Sequence, residues 1–226
     1  PLVVFFDNLD VSNLPSEEDI VSSLAPDAPI VLLEVGEGNV RRVPYWAELD
    51  LQEDDPAKRG LIVRPAEIFK EGTRYVVGMR GLLDTEGAPI APSPAFEALR
   101  GGRGEQYDAL QPRVERFEEL FEQLERGGVA RDELVLAWDF VTASSQAMHG
   151  PALTMRDEGL AALEEEGVDF TVEEVREFEE GDNAEIAFEV SGTLRVPHFM
   201  APYDLFGNEA WNFNLDDEGN ITQNGW

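Results

Sequence analysis

The chain has 226 residues, of which 42% are hydrophobic and 28% are charged, a composition typical of a globular protein with one large or two small domains. Its 47 acidic and 17 basic residues give a net charge of −30, and a field of that sign repels phosphate. Nucleic acid and anionic membranes are therefore poor partners. No apolar run approaches the roughly 20 residues that a membrane-spanning helix needs.

The chain contains no cysteine, which excludes disulfides, thiolate zinc sites and thiol catalysis together. Lys58 and Lys70 are its only lysines. Abundant acid with scarce lysine suits a salt-adapted or secreted protein, and a GC-rich genome explains it equally well. The sequence starts at Pro1 with neither an initiator methionine nor a signal peptide, so we expect it to be a piece of a longer polypeptide.

Residues 1–100 contain short apolar or alternating runs separated by Gly, Pro and Asp. These runs predict strands at 2–6, 29–35, 43–51, 61–63 and 75–79. Alternate residues from Val43 to Leu51 are apolar, which predicts one buried face, and Asp84 to Gly87 has the composition of a turn. Strands of this length and spacing favour an antiparallel sandwich.

One amphipathic helix interrupts the strands, over residues 105–126. Its apolar residues recur at helical spacing along one stripe: Leu110, Val114, Phe117, Leu120, Phe121 and Leu124. Pro112 favours a start of the regular helix near that residue, and Gly127 ends it. The run 134–140 then returns to strand.

Residues 145–226 predict a second, smaller unit with both helix and strand. Pro151 to Glu166 is a weaker helix candidate. Alternate residues from Ile186 to Val196 are apolar, the clearest strand pattern in the chain, and Gly192 on that face predicts a bulge or a close backbone approach. Trp211 to Ile221 has the pattern of a hairpin.

A Ser-His-acid triad needs a histidine beside the nucleophile. The chain has only His149 and His198, and no G-x-S-x-G elbow. His149 is predicted in a linker bounded by glycine and proline, and His198 at the end of a strand. We interpret both as ordinary surface residues and assign no catalytic, cofactor-binding or metal-binding residue.

Two histidines without cysteine do not favour zinc. Calcium suits so acidic a chain better, because it binds carboxylate and carbonyl oxygens. The candidate runs are Asp216-Asp217-Glu218-Gly219-Asn220 and Asp7-Asn8-Leu9-Asp10. Neither has the spacing of a twelve-residue calcium loop, and solvated turns explain both, so calcium is left open as a ligand.

Three tryptophans stand out, Trp138, Trp211 and Trp226. Such residues are more typical of core or interface anchors than of sugar platforms, and a carbohydrate-binding sandwich would need them aligned on one exposed face. Because Trp226 is the last residue, we expect further polypeptide or another chain to cover it.

Three motifs occur together between residues 61 and 100. Arg64-Pro65 closes a predicted strand, Gly72-Thr73-Arg74-Tyr75 opens the next, and Leu82 to Ile90 carries a Leu-Leu-Asp-Thr-Glu-Gly turn. This succession resembles bacterial Ig-like domains, and the resemblance implies a β-sandwich.

The resemblance extends along the chain. The run 94–100, the amphipathic helix and the run Leu134 to Ser144 are together similar to the N-terminal region of large secreted bacterial lipase-like α/β-hydrolases. Gly192 to Met200 and Trp211 to Ile221 look like the connecting region of that family. The resemblance implies that the catalytic strand begins after Trp226. The nucleophile elbow is absent here, so no catalytic residue is carried over.

We therefore expect a mainly β chain, with an Ig-like antiparallel β-sandwich over 1–144, an amphipathic helix inserted at about 105–128, and a smaller α+β unit over 145–226. The resemblance implies a non-catalytic scaffold that packs against and shapes the catalytic domain of a secreted lipase- or esterase-like hydrolase. Its implied partner is an α/β-hydrolase segment, in the same precursor or as a separate chain, and its implied location is extracellular or at the cell surface. The alternative is a structural or adhesive Ig-like protein of the cell surface that self-associates, with calcium between copies.

Overall fold

The computed structural model of the chain describes residues 1–55, 58–179, 181, 185–201 and 212–225. The described fold is mainly antiparallel β, with three α-helices and several sheets. The chain divides into two compact units, residues 1–144 and 145–226.

The N-terminal unit holds nine strands and two α-helices within its described residues. The strands are β1 (Leu2–Phe5), β2 (Leu9–Asp10), β3 (Ile30–Val35), β4 (Val40–Arg42), β5 (Tyr45–Leu49), β6 (Gly60–Pro65), β7 (Arg74–Arg80), β8 (Leu83–Asp84) and β9 (Leu134–Val141). The helices are α1 (Pro94–Arg100) and α2 (Val114–Arg126).

Two antiparallel sheets form this unit, with a small β2–β8 pair beside them. One sheet has the strand order β1-β6-β5, and the other has the order β4-β3-β7-β9. The two sheets pack against a common core, which includes Leu32 from β3, Tyr45 from β5, Val63 from β6 and Val77 from β7. This core joins strands that are distant in sequence.

The larger sheet is buried on both faces. Along β3, Ile30 and Leu32 face the common core, whereas Val31 and Leu33 belong to a second core on the opposite face. A strand that is covered on both sides has no polar face, which explains why β3 appears in the sequence as a continuous apolar run.

The second core lies between the larger sheet and the two helices. Phe96 of α1 and Phe121 of α2 approach each other edge to face, with ring centroids 6.1 Å apart. Gly78 of β7 lies under α2, where an added Cβ would come within 2.7 Å of Leu124. The glycine therefore permits the close approach of helix to sheet.

The helical region differs in detail from the sequence expectation. The regular helix begins at Val114, close to Pro112 as predicted, whereas residues 104–106 and 111–113 form short 3-10 helices. A further helix, α1, precedes them, since Ser93 accepts a hydrogen bond from the main chain of Phe96 and Pro94 suits the first turn.

The predicted strand from Val43 to Leu51 is shorter than expected. Pro44 cannot donate a main-chain hydrogen bond, and β5 starts only at Tyr45. Val43 is buried, but Leu51 is 75% exposed, so its predicted place on the buried face is wrong.

The C-terminal unit contains α3 (Ser145–Glu166), β10 (Phe170–Glu177) and β11 (Phe188–Leu194). Helix α3 begins six residues before Pro151, where the sequence predicted its start. Gly159 of α3 lies beside Pro197 and Phe199. Among the described residues of this unit, Phe199 and Ile221 are the buried large hydrophobic side chains.

None of the described helices is both long enough and apolar enough to cross a membrane.

Candidate functional site

Both histidines lie in the C-terminal unit, and both are exposed. His149 is part of α3, so its predicted position in a linker is wrong, because the helix continues through Gly150 and Pro151. His198 forms an isolated bridge with Gly225, and its main chain donates a hydrogen bond of 2.8 Å to that residue. The described contacts of neither imidazole include a serine hydroxyl, so the geometry supplies no triad.

The run 216–220 folds as a turn, whereas the run 7–10 is a turn at Asp7-Asn8 followed by β2. Asp216 accepts hydrogen bonds from the main-chain N–H groups of Asn220, at 2.8 Å, and Glu218, at 2.9 Å. The Asn220 hydrogen bonds hold the pKa of Asp216 below its ordinary value. Asp10 accepts from both the hydroxyl and the main chain of Ser12, which lower its pKa in the same way.

These turns do not match a calcium site. The ion needs six to eight oxygen ligands, whereas the carboxylate of Asp216 already accepts hydrogen bonds from N–H groups of its own turn. Within the described residues, no group of three or more histidine, aspartate or glutamate side chains is placed to hold a metal ion. No step of the function is assigned to calcium.

Trp138 is half-buried and packs against the common core of the N-terminal unit. This position agrees with a core anchor rather than a sugar platform. Trp211 and Trp226 lie outside the described residues.

The surface that stands out is the two-stranded ribbon of β10 and β11. The strands pair in antiparallel register, with Phe170 opposite Leu194 and Val175 opposite Val190. The register shifts between Val172 and Glu174, which marks a bulge at that point. The bulge keeps Val175 on the same face as Val172, although Val175 is three positions further along the strand.

Gly192 lies opposite this bulge, as the sequence suggested. An added Cβ at this position would come within 2.1 Å of the main-chain oxygen of Thr171. Because that neighbour is backbone, only glycine permits such a close approach of the two strands.

The ribbon is amphipathic. Its apolar face, here called the ribbon face, presents Phe170, Val172, Val175, Phe188, Val190 and Leu194, with one charged residue, Glu177, opposite Phe188 at its end. The opposite face is polar, with the cross-strand pairs Thr171–Thr193 and Arg176–Glu189.

The ribbon face is solvent-exposed although it is apolar. Its apolar side chains are between 49% and 63% exposed, and every residue of both strands is exposed. The predicted strand is present as β11, and within the described residues no layer covers its apolar face. An isolated two-stranded ribbon is at best marginally stable in water. The ribbon is therefore an apolar surface that no layer covers in the part of the chain that the structure describes.

The surroundings of the ribbon are acidic. Residues 145–226 contain 3 arginines against 19 aspartates and glutamates. Arg176 lies 3.8 Å from Glu189 across the strands and stacks over the ring of Phe178. A partner surface that is apolar at its centre and neutral or basic at its rim complements this arrangement.

Comparison of the chain with protein-family models, with curated proteins and with solved structures finds no significant match.

Proposed function

We propose that the chain is the non-catalytic N-terminal scaffold of a secreted lipase- or esterase-like hydrolase, which acts outside the cell or at the cell surface. The observation that carries the proposal is the exposed ribbon face, because a surface of this kind is stable only when another polypeptide covers it. Complete burial of such a side chain is worth about 1.5–3 kcal/mol, and roughly half of that remains to be gained here because each is 49–63% exposed. The partner is an α/β-hydrolase segment, from the same precursor or from a separate chain.

The arrangement of the N-terminal unit supports an Ig-like sandwich as the fold of the scaffold. The strand orders β1-β6-β5 and β4-β3-β7-β9 match the orders B-E-D and C′-C-F-G of that fold. Arg64 and Pro65 end β6, and Asp84 closes a turn by accepting from the main chain of Glu86 and Ala88. These are the positions that carry the sequence resemblance.

The first test is ester hydrolysis by the purified chain. A scaffold without a nucleophile should not turn over p-nitrophenyl butyrate above the rate of the buffer. Turnover that His149→Ala or His198→Ala abolishes would contradict the proposal.

The second test is docking of an α/β-hydrolase segment. Leu194→Asp places a charge on the ribbon face, whereas Thr193→Asp places the same charge on the polar face of the same strand. Copurification of the hydrolase segment should be lost with Leu194→Asp and retained with Thr193→Asp. Equal loss with both variants, or with neither, would show that the ribbon face is not the docking surface.

The alternative function, a calcium-stabilised surface assembly, has a separate readout. Copies of the chain should then assemble on addition of Ca²⁺ and dissociate on chelation, as measured by light scattering. Such assembly, without docking of a hydrolase segment, would replace the proposed scaffold role.

A further inference from the structure

The N-terminal unit is closed along one side and open along the other. On the side of β4 and β5, the inward-facing side chains of Val43, Tyr45 and Ala47 are at most 8% exposed, and only Leu49, at the end of β5, is half-buried. On the side of β1 and β9, Leu2, Val4 and Trp138 face the same core, yet all three are only half-buried. The difference lies along the whole of β1, since none of its residues is fully buried.

The main chain of β1 is unpaired on its outer side. Within the described part of the chain, β1 pairs only with β6, in the register Leu2↔Val63 to Phe5↔Gly60. Strand β9, at the corresponding edge of the other sheet, pairs only with β7 in the same described part. The outer edge of a strand presents unpaired N–H and C=O groups in a row, to which another extended segment can pair.

An apolar cavity of about 400 Å³ lies at this open side. It forms where the end of β1 approaches the start of β9, and it is lined by Phe5, Phe6, Asp7, Ile90, Ala91, Ser93, Val135 and Leu136. Its volume is within the range of about 300–1,000 Å³ for ligand sites in proteins. Asp7 is its only charged lining residue among those described.

We propose that an extended segment of a partner polypeptide adds to the unit as a strand beside β1 and places alternate apolar side chains in this cavity. Of the two edges, we assign the pairing to β1 rather than to β9. At the start of β9, the main-chain oxygen of Leu134 already accepts a hydrogen bond of 2.6 Å from Arg100. This site is separate from the ribbon face and does not rest on the hydrolase role.

Charge selects the kind of partner. Strand β1 carries no charged side chain, and Asp7 lies at its end. The whole chain carries a net charge of −30, so a second copy would bring two strongly negative molecules together. We therefore infer a neutral or basic segment with alternating apolar residues, rather than a second copy.

A designed peptide tests the inference in the intact chain. The probe is a blocked peptide of about nine residues that alternates valine with threonine and ends in lysine at both sides, the length of a short strand. The expected result is a saturable change in the amide NMR signals of Leu2 to Phe5. A peptide with proline in place of the central threonine cannot donate at that position, and we expect it to bind at least about tenfold more weakly.

A pair of neighbouring substitutions locates the binding side of β1. Val4→Lys places a charge among the inward-facing side chains and should weaken binding at least about tenfold, whereas Val3→Lys, on the outward face, should leave binding within about twofold. The proline peptide gives an answer even where Val4→Lys does not fold. The proposal would be overturned if both peptides bound equally, or if the β1 signals did not respond to about 1 mM peptide. It would also be overturned if the β1 signals shifted when the chain alone was diluted, because a second copy would then be the partner of β1.

Discussion

The two units bury their antiparallel strands to opposite extents. In β7, Val77 and Met79 are fully buried between layers, whereas Val172 and Val175 in β10 are 49% and 58% exposed. Both strands are antiparallel, but β7 is apolar on both faces, with Val76 in the second core, whereas β10 is apolar on one face. The difference indicates that the alternation of apolar and polar residues along a strand sets how the strand pairs. The stability of the strand depends on the layer that packs against it.

The largest expected effect compares one phenylalanine from each unit. Phe121 of α2 is 1% exposed and contacts two other aromatic rings, so Phe121→Ala should lower the free energy of unfolding of the N-terminal unit by about 3–5 kcal/mol. Phe188 of β11 is 58% exposed, so Phe188→Ala should cost the chain alone no more than about 0.5 kcal/mol. Native-state hydrogen exchange, measured on peptides from each unit, gives both values. Equal costs would break the comparison.

Strand and helix patterns in the sequence predict much of the N-terminal unit. The apolar run at β3, the turn at Asp84 and the stripe of α2 each lie where the pattern indicates. The sequence does not show that α2 covers the face of the larger sheet opposite the common core. That placement depends on the contact of α2 with Gly78, which is distant in sequence.

The ribbon face was predictable only in part. The alternation of β11 indicates an apolar face, but local sequence does not tell whether a further layer covers it. The run from Phe170 to Phe178 has strand composition and forms β10, but the bulge interrupts its alternation between Val172 and Val175, so the sequence pattern does not show which side chains share the ribbon face. The exposed glutamate of the bulge, Glu173, is the signal that a search for interrupted alternation could have used.

A second comparison concerns two glycines. An added Cβ at Gly78 would press on Leu124 and Leu134, at 2.7 and 3.1 Å, so Gly78→Val should destabilise the N-terminal unit by about 1–3 kcal/mol. An added Cβ at Gly159 in α3 would lie 3.8 Å from the nearest atom of Phe199, which is an ordinary van der Waals contact. Gly159→Ala should therefore stabilise α3 by about 0.5–1 kcal/mol. Exchange rates of β7 and α3 amides measure both effects, and a stabilising Gly78→Val would show that the helix packs less closely than described.

Ion pairs allow a third comparison. The side chain of Asp139 is 7% exposed and accepts hydrogen bonds of 2.8 Å from both Arg74 and Arg116. Asp139→Asn should cost about 1–2 kcal/mol, because Arg74 and Arg116 both lose this buried carboxylate and Arg74 keeps only Glu119, at 3.3 Å. Glu189 lies 3.8 Å from Arg176 and both are largely exposed, so Glu189→Gln should change stability by less than about 0.3 kcal/mol. Urea unfolding of each variant gives the difference, and similar costs for the two would contradict the contrast.

The smallest expected effect is a pH dependence confined to the N-terminal unit. Hydrogen bonds from Lys70 and Arg41 hold the pKa of Glu34 below its ordinary value of 4.5. A carboxyl whose pKa is lower in the folded chain stabilises the fold above its ordinary pKa, and this contribution is lost as the pH falls below that value.

Glu34→Gln should therefore lower stability at pH 7 and leave stability below the folded-state pKa nearly unchanged. The side chain of Glu34 is only 11% exposed, but Lys70 and Arg41 are 64% and 45% exposed. Solvent and salt screen such pairs, so we expect a loss of no more than about 1 kcal/mol at pH 7. Glu37, exposed in the turn after β3, is the matched control, and Glu37→Gln should leave the pH profile unchanged. Thermal unfolding between about pH 3 and pH 7 measures both profiles. A Glu34→Gln profile parallel to that of the unchanged chain would show that this buried carboxylate does not link folding to protonation.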